Sequence, residues 1–219
     1  VGTDTDGDQA FSVVNRVREI AQAAYPNSYH LVGQSVNTLD LKDTVIADNT
    51  RVNLAAILSI FVILLLTFRS GSLPILLLLV IESSIWINLT VPYFMDTQLH
   101  YTAYLIISSI QLGATVDYAI LMTTRYKSER AAGASKRDAV ATALSTSIPS
   151  IIVSGMGLFA ATFGVAVYSD IDIISAMCML MARGAVVSML CVIFILPALL
   201  MLCDGLIRAT TLGMKKKKA

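Results

Sequence analysis

The sequence predicts an all-α polytopic membrane bundle of five transmembrane helices, with a short extracytoplasmic α/β remnant at the N-terminus. Three observations carry this. Of 219 residues 56% are hydrophobic and only 14% charged, and the mean hydropathy is +0.72, far from the balance of an ordinary soluble domain. Apolar runs near the ~20 residues that cross a bilayer recur along the chain. Basic residues are sharply segregated, although the formal net charge is only +1.

Residues 1–50 read as the end of an extracytoplasmic porter-like domain. From Asp8 to Tyr25 the positions Phe11, Val14, Val17, Ile20 and Ala21 recur near helical spacing, with Asp6 or Asp8 as N-cap and Pro26 as stop. Ser28–Val32 is expected to be a short strand before Gly33. Ser35–Thr50 is expected to be a polar helix running into the membrane. Elements of this size cannot bury a core alone, and residue 1 is Val. The expectation is therefore a chain cut from a longer polypeptide.

Residues 51–207 form the five-span domain. The spans are Val52–Phe68, Leu73–Met95, Tyr101–Thr124, Ile148–Tyr168 and Ile173–Cys203. The last exceeds one straight crossing. Its best window opens near Gly184, so Ile173–Arg183 is expected to be an interfacial lead-in or a tilted extension. Pro74, Pro149 and Pro197 mark ends and kinks, because neighbouring helices satisfy the backbone groups that a membrane proline frees. Between the third and fourth spans, Glu129–Leu144 is expected to form an amphipathic surface helix. Thr142, Ser145, Thr146 and Ser147 would then cap the fourth span ahead of Pro149.

Orientation follows from the basic residues. Arg69, Arg125, Lys127, Arg130, Lys136, Arg137, Arg208 and Lys215–Lys218 all fall on one side, while the opposite loops, Asp96–His100 and Ser169–Asp172, have no Lys or Arg. The positive-inside rule makes the first side cytoplasmic, so the N-terminal segment lies outside and the basic tail, 208–219, inside. The tail reads as a topology anchor at anionic lipid, with Lys216 and Lys217 also matching a formal retrieval pattern.

The chemistry concentrates on Asp117. It stands in Gln111-Leu-Gly-Ala-Thr-Val-Asp117-Tyr118, inside an apolar run long enough to cross the bilayer. A carboxyl there costs roughly 2.5–3.5 kcal/mol on insertion scales, so such residues usually face a bundle interior or a water path and mark ion or proton routes. Desolvation brings a carboxyl's titration near operating pH. The competing reading is a plain helix–helix hydrogen bond. Gln111 and Thr115, at helical spacing from Tyr118, are candidates for a polar track. Glu82, in the second span ahead of Ser83, Ser84 and Asn88, is a candidate second proton site, a substrate-path residue or a structural hydrogen bond. Small residues four apart, Ser109/Gly113, Gly157/Ala161, Ala160/Gly164 and Gly184/Ser188, are expected at helix contacts.

Gly113-Ala-Thr-Val-Asp117-Tyr118, followed by Thr124-Arg-Tyr126, resembles the Asp-Tyr signature of the mycobacterial-membrane-protein-large (MMPL) branch of the resistance-nodulation-division superfamily. An outer segment followed by five spans, with the Asp-Tyr pair in the third, resembles the C-terminal half of its membrane region. Arg183-Gly184 and Leu196-Pro-Ala-Leu199 resemble its last span. The resemblance covers essentially the whole chain. It implies a proton-motive-force-driven exporter of lipids or amphiphilic compounds, with Asp117 carrying the proton, Tyr118 as its hydroxyl partner and protons as the only coupling ligand. It also implies a missing N-terminal half, since the family carries two Asp-Tyr pairs and twelve spans where this chain has one pair and five.

Other classes fit poorly. Cys178, Cys191 and Cys203 lack metal-ligand spacing, His30 and His100 are isolated, and no phosphate-cradling motif occurs, so neither an enzyme nor a metal or organic cofactor is expected. Nucleic acid is not an expected partner. The expected partners are the bilayer, the missing half, an amphiphilic substrate and possible further copies of the chain. A second reading is a non-transporting lipid- or sterol-sensing-like module that regulates a partner, since the same five-span arrangement resembles sterol-sensing domains.

Overall fold

The computed structural model describes residues 7–26, 28–94 and 101–211, with backbone only for 101–105. The expected loop Asp96–His100 and the tail Lys215–Lys218 lie outside them. The helices are α1 (Asp8–Ala24), α2 (Gln34–Phe68), α3 (Ser72–Phe94), α4 (Tyr101–Ala131), α5 (Lys136–Tyr168), α6 (Asp172–Leu202) and α7 (Asp204–Thr210). Five of them, α2 to α6, are long and apolar enough to cross a membrane. The protein is an α-helical multi-pass membrane chain that divides into two compact units, Val1–Val52 and Asn53–Ala219.

In the first unit, α1 begins at Gly7, whose φ of 107° needs glycine, and no side chain caps it. Asp8 instead sits in the first turn, where its charge suits the helix dipole. Phe11 and Val14 pack on Leu39 and Val36 of α2. The Arg18 guanidinium donates to the Asp40 carboxylate, and the Lys42 ammonium lies 4.7 Å from the Phe11 ring centroid. The expected strand at Ser28–Val32 does not form, and no strand occurs among the described residues, so the α/β remnant is corrected to α. A strand needs a ladder partner, and the segment has none there.

In the second unit, α5 and α6 pack together along most of their length, α4 rests on both, and α3 lies against α4 and α6. Leu77, Ile81, Met122, Ile151, Leu196 and Leu200 are fully buried in this core. The close α5–α6 approach depends on Gly155, where an added Cβ would lie 3.1 Å from Met189 Sδ. α2 touches the core along one ridge, Ala56, Ile60, Leu64 and Phe68, each four residues apart.

Two local expectations change. The surface helix Glu129–Leu144 is not a separate element: α4 runs on to Ala131, the chain turns through Gly133 at φ 96°, and α5 begins at Lys136. Ser135 caps α5 by accepting from Asp138 N at 3.2 Å. Ser145 and Thr146 therefore lie inside α5 and bond back to the Thr142 carbonyl at 3.0 and 2.8 Å instead of capping anything. Of the two expectations for Ile173–Arg183, the extension is what forms: the segment is continuous with α6, one helix of 31 residues.

Candidate functional site at the crossing of α3, α4 and α6

Where α3, α4 and α6 cross, polar side chains are buried within spans whose surroundings are apolar. Ser84 and Asn88 of α3 and Thr115 of α4 are fully buried, as are Gln111 of α4 and Ser188 of α6 within a few per cent. Such groups are costly unless hydrogen-bonded, and here the bonding is nearly complete. Asn88 Nδ2 donates to Gln111 Oε1 at 2.8 Å and to the Leu180 carbonyl at 3.2 Å. Gln111 Nε2 donates to Ser188 Oγ at 3.0 Å and to the Ser84 carbonyl at 3.2 Å. Arg183 Nε donates to Asn88 Oδ1 at 2.9 Å. Thr115 closes onto the Gln111 carbonyl at 2.7 Å.

The network depends on Gly184. A Cβ at this position would lie 2.7 Å from both Asn88 Nδ2 and Gln111 Oε1, inside the space their hydrogen bond occupies. Close helix approach here lets side chains of α3 and α4 meet over the α6 backbone. Among the other expected packing pairs, Ser109, Gly113, Gly157, Ala160 and Ala161 are exposed on the outside of the unit. A Cβ added at Gly113, Gly157 or Gly164 would meet open space. Those three glycines do not serve close packing between the described helices.

The Asp-Tyr pair divides between two faces of α4. Tyr118 is buried toward α5 and α6, one face with Gln111 seven residues earlier, and both line a cavity of about 10 Å³ with Ser188, Ala185, Leu158 and Met181. Asp117 is exposed on a different face, together with Ser109 and Gly113. Neighbouring residues on a helix do not face each other, and among the described residues Asp117 and Tyr118 make no hydrogen bond with one another. Glu82 is half-buried, and its Oε1 is enclosed without a hydrogen-bond partner among the described residues.

A second polar cluster, which the sequence did not disclose, closes the basic end. Asp204, at the start of α7, is buried and accepts from Arg130 Nε at 2.7 Å, Arg130 Nη2 at 2.6 Å and Tyr126 Oη at 2.7 Å. Lys136 Nζ lies 3.9 Å away. Burial pushes the Asp204 carboxyl up, but the hydrogen bonds from Arg130 and Tyr126 and the charges of Arg130 and Lys136 outweigh it, so the group stays below the usual carboxylate range. Lys127 Nζ donates at 2.6 Å to the Phe68 carbonyl, one of the acceptors left open where α2 ends. Arg130 and Lys127 thus tie α4 to α7 and to the end of α2. No group of three or more metal-ligating side chains occurs among the described residues.

The family model for the MMPL family matches residues 1–217. The Mycobacterium bovis protein named "Probable transport protein MmpL8" is 26% identical over 201 residues, covering 90% of this chain and 18% of that one. The membrane protein ActII-3 of Streptomyces coelicolor is 26% identical, over 85% of this chain and 27% of its own length. The sulfolipid-1 exporter MmpL8 of Mycobacterium tuberculosis is 25% identical, over 90% and 18%. The chain therefore spans between 18% and 27% of the length of these relatives. With a family match over nearly its whole length, and with the Asp-Tyr pair on the third of five membrane-length helices, this chain belongs to the MMPL family.

Proposed function

We propose that the chain is the membrane part of one half of a proton-driven exporter of lipids or other amphiphiles, in which Asp117 carries the coupling proton. The observation that carries this reading is the placement of Asp117. It projects from a face of α4 that no described helix covers, beside Gly113 and away from the satisfied network around Gln111. An acidic side chain on an uncovered face of a membrane-length helix is an unfinished site, and a matching repeat supplies the polar groups to finish it. Tyr118, on the neighbouring face, links the site to the bundle, and Glu82 is a secondary proton site. The substrate class rests on the family and on the sulfolipid-1 exporter among the relatives. The basic end, with Arg125, Arg130 and Lys136, is cytoplasmic by the positive-inside rule, and the N-terminal segment is outside.

The test uses the full-length protein that contains this segment. Asp117→Asn keeps size and hydrogen bonding but removes the acid proton, so proton-gradient-dependent export collapses while expression and membrane insertion persist. Tyr118→Phe and Glu82→Gln cause smaller losses. An Asp117→Asn protein that inserts normally and exports at the wild-type rate under the same gradient ends the assignment.

A further inference from the structure

If Asp117 carries the coupling proton, a reading on which this inference rests, the buried side of α4 holds an arrangement that aims it. Gln111 and Tyr118 are two helical turns apart on one face and both open onto the cavity that Ser188 and Ala185 of α6 close from the other side. The phenol hydroxyl of Tyr118 makes no hydrogen bond to a described residue, although its ring is buried. The cavity, about 10 Å³, is about the room that one water needs, and a buried water is held by two to four polar partners. Tyr118, Gln111 and Ser188 are the three residues of its lining that carry polar side chains.

We propose that one ordered water occupies this cavity and bridges Tyr118 to Gln111 and Ser188, making Gln111 and Ser188 positioning residues for the relay. The reason lies in the geometry of α4. Gln111 is already fixed to α3 and α6 through Asn88 and Ser188, which holds the helix at one point. A second tie at Tyr118, two turns further along, fixes its rotation about its own axis. That rotation sets where Asp117 points, because Asp117 lies one residue, roughly 100° around the helix, from Tyr118. Gln111 and Ser188 touch neither the proton nor its carrier. They act through the tyrosine.

The titratable and charged side chains of the elements packed on α4 leave this cavity alone. Glu82 and Tyr93 belong to α3, Lys136, Arg137, Asp138 and Tyr168 stand at the two ends of α5, and Asp172, Cys178, Arg183 and Cys191 belong to α6. None of them lines the cavity. A change confined to the cavity therefore reaches Asp117 through the rotation of α4 and not by adding or removing a nearby charge.

The experiment replaces Ala185 in the full-length protein. Ala185→Val fills the cavity with methyl groups and excludes the water, whereas Ala185→Ser brings in a hydroxyl able to take over its hydrogen bonds. The readout is the pH titration of the Asp117 carboxyl band in infrared difference spectra, identified by its loss in Asp117→Asn. The expected result is a midpoint that moves by about one pH unit in Ala185→Val and returns to near the wild-type value in Ala185→Ser. Ser188→Ala, which removes one partner of the water without adding bulk, shifts it in the same sense and serves if the valine protein fails to fold. A high-resolution map of the wild type shows the water within hydrogen-bond distance of Tyr118 Oη. Wild-type midpoints in both Ala185→Val and Ser188→Ala, or a dry cavity in that map, overturn the proposal while leaving the relay reading intact. If no Asp117 band titrates in any protein, the relay reading fails instead, and the proposal with it.

Discussion

Arg183 donates from Nη2 at 3.1 Å to the carbonyl of Asn88, the acceptor that Pro92, four residues further along α3, leaves without a helical N–H. A proline inside a helix removes the bond to residue i−4, and within a membrane the freed carbonyl has no water to turn to. One guanidinium answers this need while its Nε holds the Asn88 side chain. The two residues are therefore expected to be energetically coupled. Arg183→Gln lowers the thermal stability of the purified full-length protein by roughly 1.5–3 kcal/mol, the worth of hydrogen bonds from a charged donor. In a Pro92→Ala background, where the helical N–H returns, about 1 kcal/mol of that loss disappears. Strictly additive effects in the double-mutant cycle contradict the coupling.

Gly184 gives the sharpest steric prediction. Gly184→Ala puts a methyl group where the Asn88–Gln111 hydrogen bond runs, so the network opens or the helices separate, at a cost of roughly 1–3 kcal/mol. Gly157→Ala and Gly164→Ala are the controls, because nothing lies within 4 Å of either added Cβ. They are neutral, or stabilise α5 by up to about 1 kcal/mol through helix propensity. Thermal unfolding of the three proteins in the same detergent separates the cases. Equal midpoints for all three count against the crowded site.

The basic-end cluster predicts a pH dependence. Removing one member of a buried ion pair typically costs about 3 kcal/mol or more, so Asp204→Asn destabilises the protein markedly at neutral pH. Because the folded-state pKa of Asp204 is lowered, its contribution is fully present above the unfolded carboxyl's value and is lost as pH falls through the lower folded value. The gap in unfolding temperature between wild type and Asp204→Asn should be constant from about pH 5 upward and close only below about pH 4. A gap that instead closes between about pH 6 and 7 would point to a raised carboxyl and refute the arrangement.

Residues 1–219 alone, reconstituted in vesicles under an imposed proton gradient, are expected to show no amphiphile flux above an Asp117→Asn control. On the proposed reading, the polar groups that complete the site come from the matching repeat. Robust flux above that control means that two copies of the chain assemble into a working pair.

Much of the fold is legible in the sequence because it is driven by hydropathy and helical period. The spans are apolar runs of membrane length, and Phe11 and Val14 lie on the face that packs. The strand expected at Ser28–Val32 fails because strand formation depends on a partner that a local pattern cannot reveal. The break at Gly133 is readable, since a glycine followed by Ser135 and, three residues on, Asp138 is a turn and cap signal, but the helical composition around it masks that signal. At the site, Asp117 is conspicuous because a carboxyl in an apolar run is rare, and Gln111 is found by its spacing from Tyr118. Sequence alone assigns Arg183, Asn88 and Asp204 no roles here. Their partners lie 95 residues away for Arg183 and 74 for Asp204, and only the folded chain brings them together.

The single ridge by which α2 meets the bundle separates two demands usually made of the same residues. Ile60 and Leu64 face the core, whereas Leu58 and Leu66 are 61% and 68% exposed and count only toward partitioning into lipid. A lysine at Leu58, near the middle of the span, therefore burdens insertion by the translocon by roughly 2.5–3.5 kcal/mol, and leaves the assembled helices undisturbed. Trimming Leu64 to alanine does the reverse. In this one helix, entry into the membrane and assembly within it are written on different sides.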